Sequence, residues 1–100
     1  MIKRLDQPGV LVQGTKVRAL LKVLAPHATI PTHTHPNHHV IVTALKGDVV
    51  LETPDEHLAL APGELAWLDE ITPLALRAGA AGATFTVTLA RQPKTAPAST

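Results

Sequence analysis

The clearest structural signal in the chain is a strict alternation of side chains near its end. From Ala83 to Leu89, apolar residues alternate with threonines. Successive side chains of a β-strand point to opposite faces, so this period of two predicts a half-buried strand. The segment Val17–Leu24 alternates in the same way, and its apolar face comprises Val17, Ala19, Leu21 and Val23. No segment shows a convincing helical period.

Shorter apolar runs punctuated by turn residues fill the rest of the chain. The run from Val40 to Leu45 is apolar on both faces, which is typical of a central strand. A turn is predicted at Gly47–Asp48 and a loop at Gly79–Gly82. About eight to ten short strands with turns about every 8 to 12 residues indicate an all-β sandwich or barrel.

Four of the six histidines lie in one short stretch immediately before the central strand: His33, His35, His38 and His39. In an extended segment, residues two apart point to the same side, so His33 and His35 can converge on one metal ion. A bend at Pro36–Asn37 brings a third ligand into reach, either His39 or, as the alternative, His38. Three imidazoles suit Zn, Cu, Fe or Ni and leave coordination positions open. The competing interpretation is a solvated histidine-rich loop.

This stretch resembles the first motif of the cupin family, in which a glycine, His-x-His, a glutamate and a closing glycine follow at set intervals. His33-Thr34-His35 matches the His-x-His, and Gly47 matches the closing glycine. His39 or Val40 occupies the glutamate slot, depending on the direction of counting, and His27 stands where the opening glycine would lie. The sequence therefore carries the histidine pair of the motif without its carboxylate.

The second cupin motif is matched in part by the turn at Pro62–Gly63 and the apolar residues that follow. Its metal-binding histidine would fall within Thr72–Leu74, where the sequence has none, and Arg77 stands at about the asparagine position. The resemblance spans roughly residues 9–91 and implies a single small jelly-roll β-barrel, which places the domain at 1–91. The residues from 92 to 100 are polar and proline-rich, and we expect a disordered tail.

Composition excludes several classes of function. The formal net charge is +1 and only two residues are aromatic among Phe, Trp and Tyr, so neither a basic surface nor a stacking platform for nucleic acid is expected. The chain has no cysteine and no tyrosine, which excludes thiol chemistry and a His–Tyr acid–base pair. No apolar run approaches the roughly 18 residues of a membrane span, and the N-terminus lacks a signal-peptide core, so a cytoplasmic protein is expected.

Three functional hypotheses follow, and in the third of them the barrel is only a dimerisation module whose histidines are incidental. In the first, His33, His35 and His39 hold a divalent ion (Fe, Mn, Ni, Cu or Zn) at the barrel mouth, and the protein acts on a small molecule with catalytic residues that the sequence does not identify. In the second, the barrel binds a small molecule without metal and without catalysis. The candidate pocket-lining residues are Val42, Trp67, Leu74 and Arg77. Because unpaired strand edges favour self-association, and small cupins often pair, a homodimer is expected.

Overall fold

A computed structural model describes residues 1–69 and 72–92 of the chain. All regular secondary structure in this part of the chain is antiparallel β-strand, which confirms the predicted all-β fold. The seven strands are β1 (Gly9–Gln13), β2 (Val17–Leu24), β3 (Thr29–His33), β4 (His38–Glu52), β5 (His57–Leu60), β6 (Leu65–Leu68) and β7 (Leu74–Arg91). The same residues include no helix long and apolar enough to cross a membrane.

Two long strands, β4 and β7, form the centre of the fold and pair with each other along most of their length. The second half of β7 pairs with β2, which in turn pairs with β1, and the first half of β4 pairs with β6. The first half of β7 pairs with β3, and the second half of β4 pairs with β5. Each long strand therefore belongs to two half-sheets, which enclose a single core as in a jelly roll.

The predicted turn at Gly47–Asp48 and the predicted loop at Gly79–Gly82 are both wrong, since β4 and β7 continue through these residues. The pairing of the two strands shifts register between Ala44 and Lys46 and again between Gly47 and Val49. Such bulges, together with glycines, let a strand bend sharply without ending. Glycine marks a corner of the barrel here, and sequence alone does not distinguish a corner from a turn.

Glycine is required at this corner because strands approach each other closely. Gly47 has a φ of 67°, and a Cβ atom added to it would lie 3.0 Å from the carbonyl carbon of Gly82 and closer still to its oxygen. Gly82 has a φ of 79°, and a Cβ atom there would lie 2.7 Å from the carbonyl oxygen of Leu24. Three strands therefore meet backbone to backbone at this point.

The core lies between the half-sheets and consists of aliphatic side chains around one phenylalanine, Phe85, which is fully buried. The alternation predicted for β7 is confirmed, since Ala83, Phe85, Val87 and Leu89 are all buried. In β2 the strand is confirmed, but only Leu21 of its uniformly apolar face is buried, whereas Val17 and Val23 are 41% and 58% exposed. Leu20 and Leu24, on the opposite face, are partly buried and pack against the core.

The domain boundary proposed at residue 91 coincides with the last residue of β7. Beyond it, the backbone N–H of Gln92 donates a hydrogen bond of 2.6 Å to the carbonyl oxygen of Asn37. The disorder predicted for 92–100 otherwise falls on residues 93–100, which lie outside the described part of the chain.

Candidate functional site at the barrel mouth

The histidine stretch forms a tight turn between β3 and β4. Asn37 adopts a left-handed φ of 65°, a conformation that asparagine tolerates better than most residues. The backbone N–H of His38 donates to the carbonyl oxygen of His35 at 3.2 Å and closes the turn. The bend predicted at Pro36–Asn37 is thus confirmed, and it brings His35 and His38 to the same side.

His33 and His35 lie together, as their spacing predicts. Their ring centroids are 4.7 Å apart in an edge-to-face arrangement. Nδ1 of His33 lies 2.8 Å from the carbonyl oxygen of Pro31. Since a carbonyl oxygen can only accept, this nitrogen carries the hydrogen, and Nε2 of the neutral ring is left with the lone pair. His38 makes the same type of bond to the carbonyl oxygen of Pro36, also at 2.8 Å.

The third predicted ligand, His39, does not join this pair. Its ring packs edge-to-face against Trp67 at a centroid distance of 5.3 Å. His38 and His39 are consecutive in β4 and therefore point to opposite faces. His38, the alternative third ligand, is the one that lies near His35, since both line the same depression at the mouth.

A metal centre of three protein ligands does not fit the observed arrangement. Within residues 1–69 and 72–92, no group of three or more histidine or carboxylate side chains is placed to hold a metal ion. The nearest approach to such a set is the pair His33 and His35. The site therefore offers two adjacent imidazoles, and no carboxylate of the described residues lines the two depressions beside them.

An apolar cavity of about 230 Å³, here called the barrel cavity, lies between the two half-sheets below the histidines. Its apolar walls come from both half-sheets: Leu20, Ile30, Val40, Leu74, Leu76, Val87 and Leu89. Its polar groups are the side chains of Arg18, Lys22, His33 and His35. An apolar enclosure with a few convergent polar groups is the usual form of a small-molecule site.

A second depression of about 330 Å³, here called the vestibule, adjoins the barrel cavity and shares Arg18, His35 and Leu89 with it. Its walls are the segment Gln13–Arg18, the turn residues Thr34–Pro36, and His38, Leu89 and Arg91. The vestibule is much more polar than the barrel cavity because it holds Lys16, Arg18 and Arg91 together with two histidines.

The electrostatics of the mouth act on His35. Burial lowers the pKa of His35 below its usual value of 6.5, because a charged ring loses hydration there. The neighbouring His33, His38 and Arg18 lower this pKa further by repelling a second positive charge. His35 is therefore neutral at physiological pH, so one of its ring nitrogens can donate a hydrogen bond and the other can accept one.

Of the four predicted pocket-lining residues, one lines the barrel cavity and three do not. Leu74 lines the barrel cavity. Val42 lies fully buried in the core, and Trp67 is 61% exposed on the opposite face of its half-sheet from the cavity, beside His39. Arg77 pairs with Glu52 at 3.6 Å and does not line the cavity. Glu52 also lies 3.6 Å from Nδ1 of His57, and it lines neither depression beside the histidine pair.

Sequence reasoning missed the cations of the mouth. Arg18 and Lys22 alternate with Leu20 on the inward face of β2. The signal was present as an i, i+2, i+4 pattern, but a strand face that carries two cations is normally assigned to solvent. Lys16 and Arg91 are brought beside each other only by the pairing of β2 with β7.

Comparison of the structure with solved structures identifies the fold. It resembles the protein TT1209 from Thermus thermophilus, with 26% sequence identity, a TM-score of 0.78 and coverage of 91% of each chain. A cupin superfamily protein from Desulfitobacterium hafniense matches with 16% identity, a TM-score of 0.74 and coverage of 93% of this chain and 84% of that one. A cupin-2 domain containing protein from Shewanella frigidimarina matches with 13% identity, a TM-score of 0.71 and coverage of 90% and 85%.

The chain therefore has a cupin-type, double-stranded β-helix fold, as the resemblance of its histidine motif implies. No protein-family model matches the chain, and no curated protein does. The fold hosts many different functions, so function has to be argued from the site.

Proposed function

We propose that this protein is a small-molecule-binding cupin whose ligand enters the barrel cavity and is held there without an obligatory metal ion. The observation that supports the proposal is the barrel cavity itself, walled by seven aliphatic side chains and bordered by Arg18, Lys22, His33 and His35. A dry apolar cavity of about 150 Å³ is large enough to bind benzene. At about 230 Å³, this cavity has room for an aromatic ring or a short aliphatic chain.

The proposal is tested with a neutral aromatic probe, benzyl alcohol, followed by amide chemical shifts of the labelled protein. Binding in the cavity shifts amides of the lining strands, and Leu20→Phe, which fills the cavity from β2, abolishes these shifts. Leu58→Phe is the matched control, since Leu58 is 49% exposed on β5 and lies outside the cavity. The proposal fails if no lining amide responds to the probe, or if both variants respond like the wild type.

Divalent metal binding is a second candidate, supported by the proximity of His33 and His35. Hydrogen bonding of Nδ1 to a backbone carbonyl, as in His33, is also the arrangement that commonly fixes a metal-binding imidazole. A bound ion would supply Lewis acidity at the barrel mouth. Two protein ligands form a weaker centre than the three predicted from sequence, which is why metal binding ranks second.

Elemental analysis of protein purified without an affinity tag separates the two candidates. Near-stoichiometric metal that disappears in the variant His33→Ala, His35→Ala would favour the metal site. Its affinity should then fall as the pH is lowered, because metal binding requires deprotonated imidazoles. Absence of metal after incubation with divalent ions would favour binding of a small molecule without metal.

A further inference from the structure

The vestibule has a much larger excess of positive charge than the chain as a whole. The whole sequence has nine lysines and arginines against eight aspartates and glutamates, so its charges nearly balance. The described walls of the vestibule nevertheless include Lys16, Arg18 and Arg91 and no carboxylate. His35 and His38, which also line the vestibule, add two further hydrogen-bonding groups.

These cations are held next to each other by the backbone rather than by chance side-chain positions. The N–H of Arg91 donates to the carbonyl oxygen of Lys16 at 2.8 Å, and Arg91 also pairs in register with His38. Arg18 lies opposite Leu89, two residue pairs along the same ladder. Like charges on neighbouring strands repel each other and destabilise the sheet. An anion that binds between these cations would offset the repulsion and stabilise the fold.

Within the described residues, neither the three cations of the vestibule nor Lys22 of the barrel cavity forms an ion pair. Among the described residues, the ion pairs within 4.0 Å are those of Glu52 with Arg77 and His57. Lys16, Arg18, Lys22 and Arg91 form none. Their positive charges therefore remain available at the mouth of the barrel.

The vestibule and the barrel cavity share three wall residues, so one ligand can occupy both. We propose that the ligand is a phosphorylated small molecule, with its apolar part in the barrel cavity and its phosphate in the vestibule between Lys16, Arg18 and Arg91. This inference rests on the proposed function and adds the chemical class of the ligand. A carboxylate carries one negative charge, whereas a phosphate monoester carries nearly two and has three terminal oxygens, which matches three cations better.

The test compares three probes that share one aromatic ring: benzyl phosphate, phenylacetate and benzyl alcohol. Affinities are measured by calorimetry at pH 8, where the phosphate is a dianion. Benzyl phosphate is expected to bind at least about tenfold more tightly than the other two, because it gains charge-assisted hydrogen bonds. Arg91→Gln should remove about a tenfold advantage for benzyl phosphate and leave benzyl alcohol unaffected. Arg4→Gln is the matched control, because Arg4 is an exposed arginine that does not line the vestibule.

The outcomes separate this inference from the proposed function. Equal affinity for all three probes overturns the inference and supports the apolar barrel. Preference for phenylacetate overturns the assignment of phosphate. An advantage for benzyl phosphate that survives Arg91→Gln, or that is lost equally in Arg4→Gln, overturns the vestibule as its site. Failure of all three probes to bind overturns both proposals. Inorganic phosphate, added as a competitor, should weaken the binding of benzyl phosphate and not that of benzyl alcohol.

Discussion

Replacing Gly47 by alanine tests the barrel corner that joins the two half-sheets. Alanine in this backbone conformation costs about 1–2 kcal/mol of free energy, because Gly47 has a left-handed φ of 67°. Alanine recovers about 0.4–1 kcal/mol by restricting the unfolded chain. The Cβ atom also overlaps the carbonyl group of Gly82, and forcing atoms into a packed region costs about 1–3 kcal/mol. Gly47→Ala should therefore destabilise the protein by about 3 kcal/mol.

Gly63→Ala is the matched control, because Gly63 also has a positive φ, of 91°, but a Cβ atom there meets nothing within 4 Å. It should cost only the net conformational part, about 1 kcal/mol. For a domain of this size, 3 kcal/mol corresponds to a fall in melting temperature of about 12–24 °C. Urea and thermal unfolding followed by circular dichroism measure both variants. Equal destabilisation of Gly47→Ala and Gly63→Ala would refute the role assigned to the close approach at the corner.

Three further predictions follow from the structure. His27 has a left-handed φ of 60°, a conformation that costs less free energy for glycine than for histidine. His27→Gly should therefore raise the free energy of unfolding, measured by urea titration, by up to about 1 kcal/mol. A decrease in the free energy of unfolding would show instead that the His27 side chain stabilises the turn. Because the pKa of His35 is lowered on folding, the unfolded chain takes up a proton first as the pH falls through 6.5, and stability should decrease there. In His35→Gln this part of the pH dependence should disappear, and an unchanged slope would assign it to other groups. Finally, β1 is an edge strand with Val10 and Val12 exposed, so we predict a homodimer by light scattering, which a monomer mass at high protein concentration would contradict.

Local sequence patterns predict one part of the histidine site and leave another part open. The proximity of His33 and His35 follows from the two-residue repeat of extended chain, and the bend at Pro36–Asn37 follows from turn chemistry. The choice between His38 and His39 depends on which face of β4 is turned toward the mouth. That choice is made by the pairing of β4 with β6 and β7, which directs His39 to Trp67.

The sequence alone determined that the chain is all-β and which of its runs become strands, because alternation with a period of two is a local property of the backbone. It also indicated the cupin-type fold, through His33-Thr34-His35 and Gly47. Only the tertiary structure decided that β4 and β7 bend at their glycines instead of ending there. It also decided that β2 turns Arg18 and Lys22 toward the cavity. Both outcomes depend on which strands pack across the barrel, a relation between distant segments that no local pattern contains.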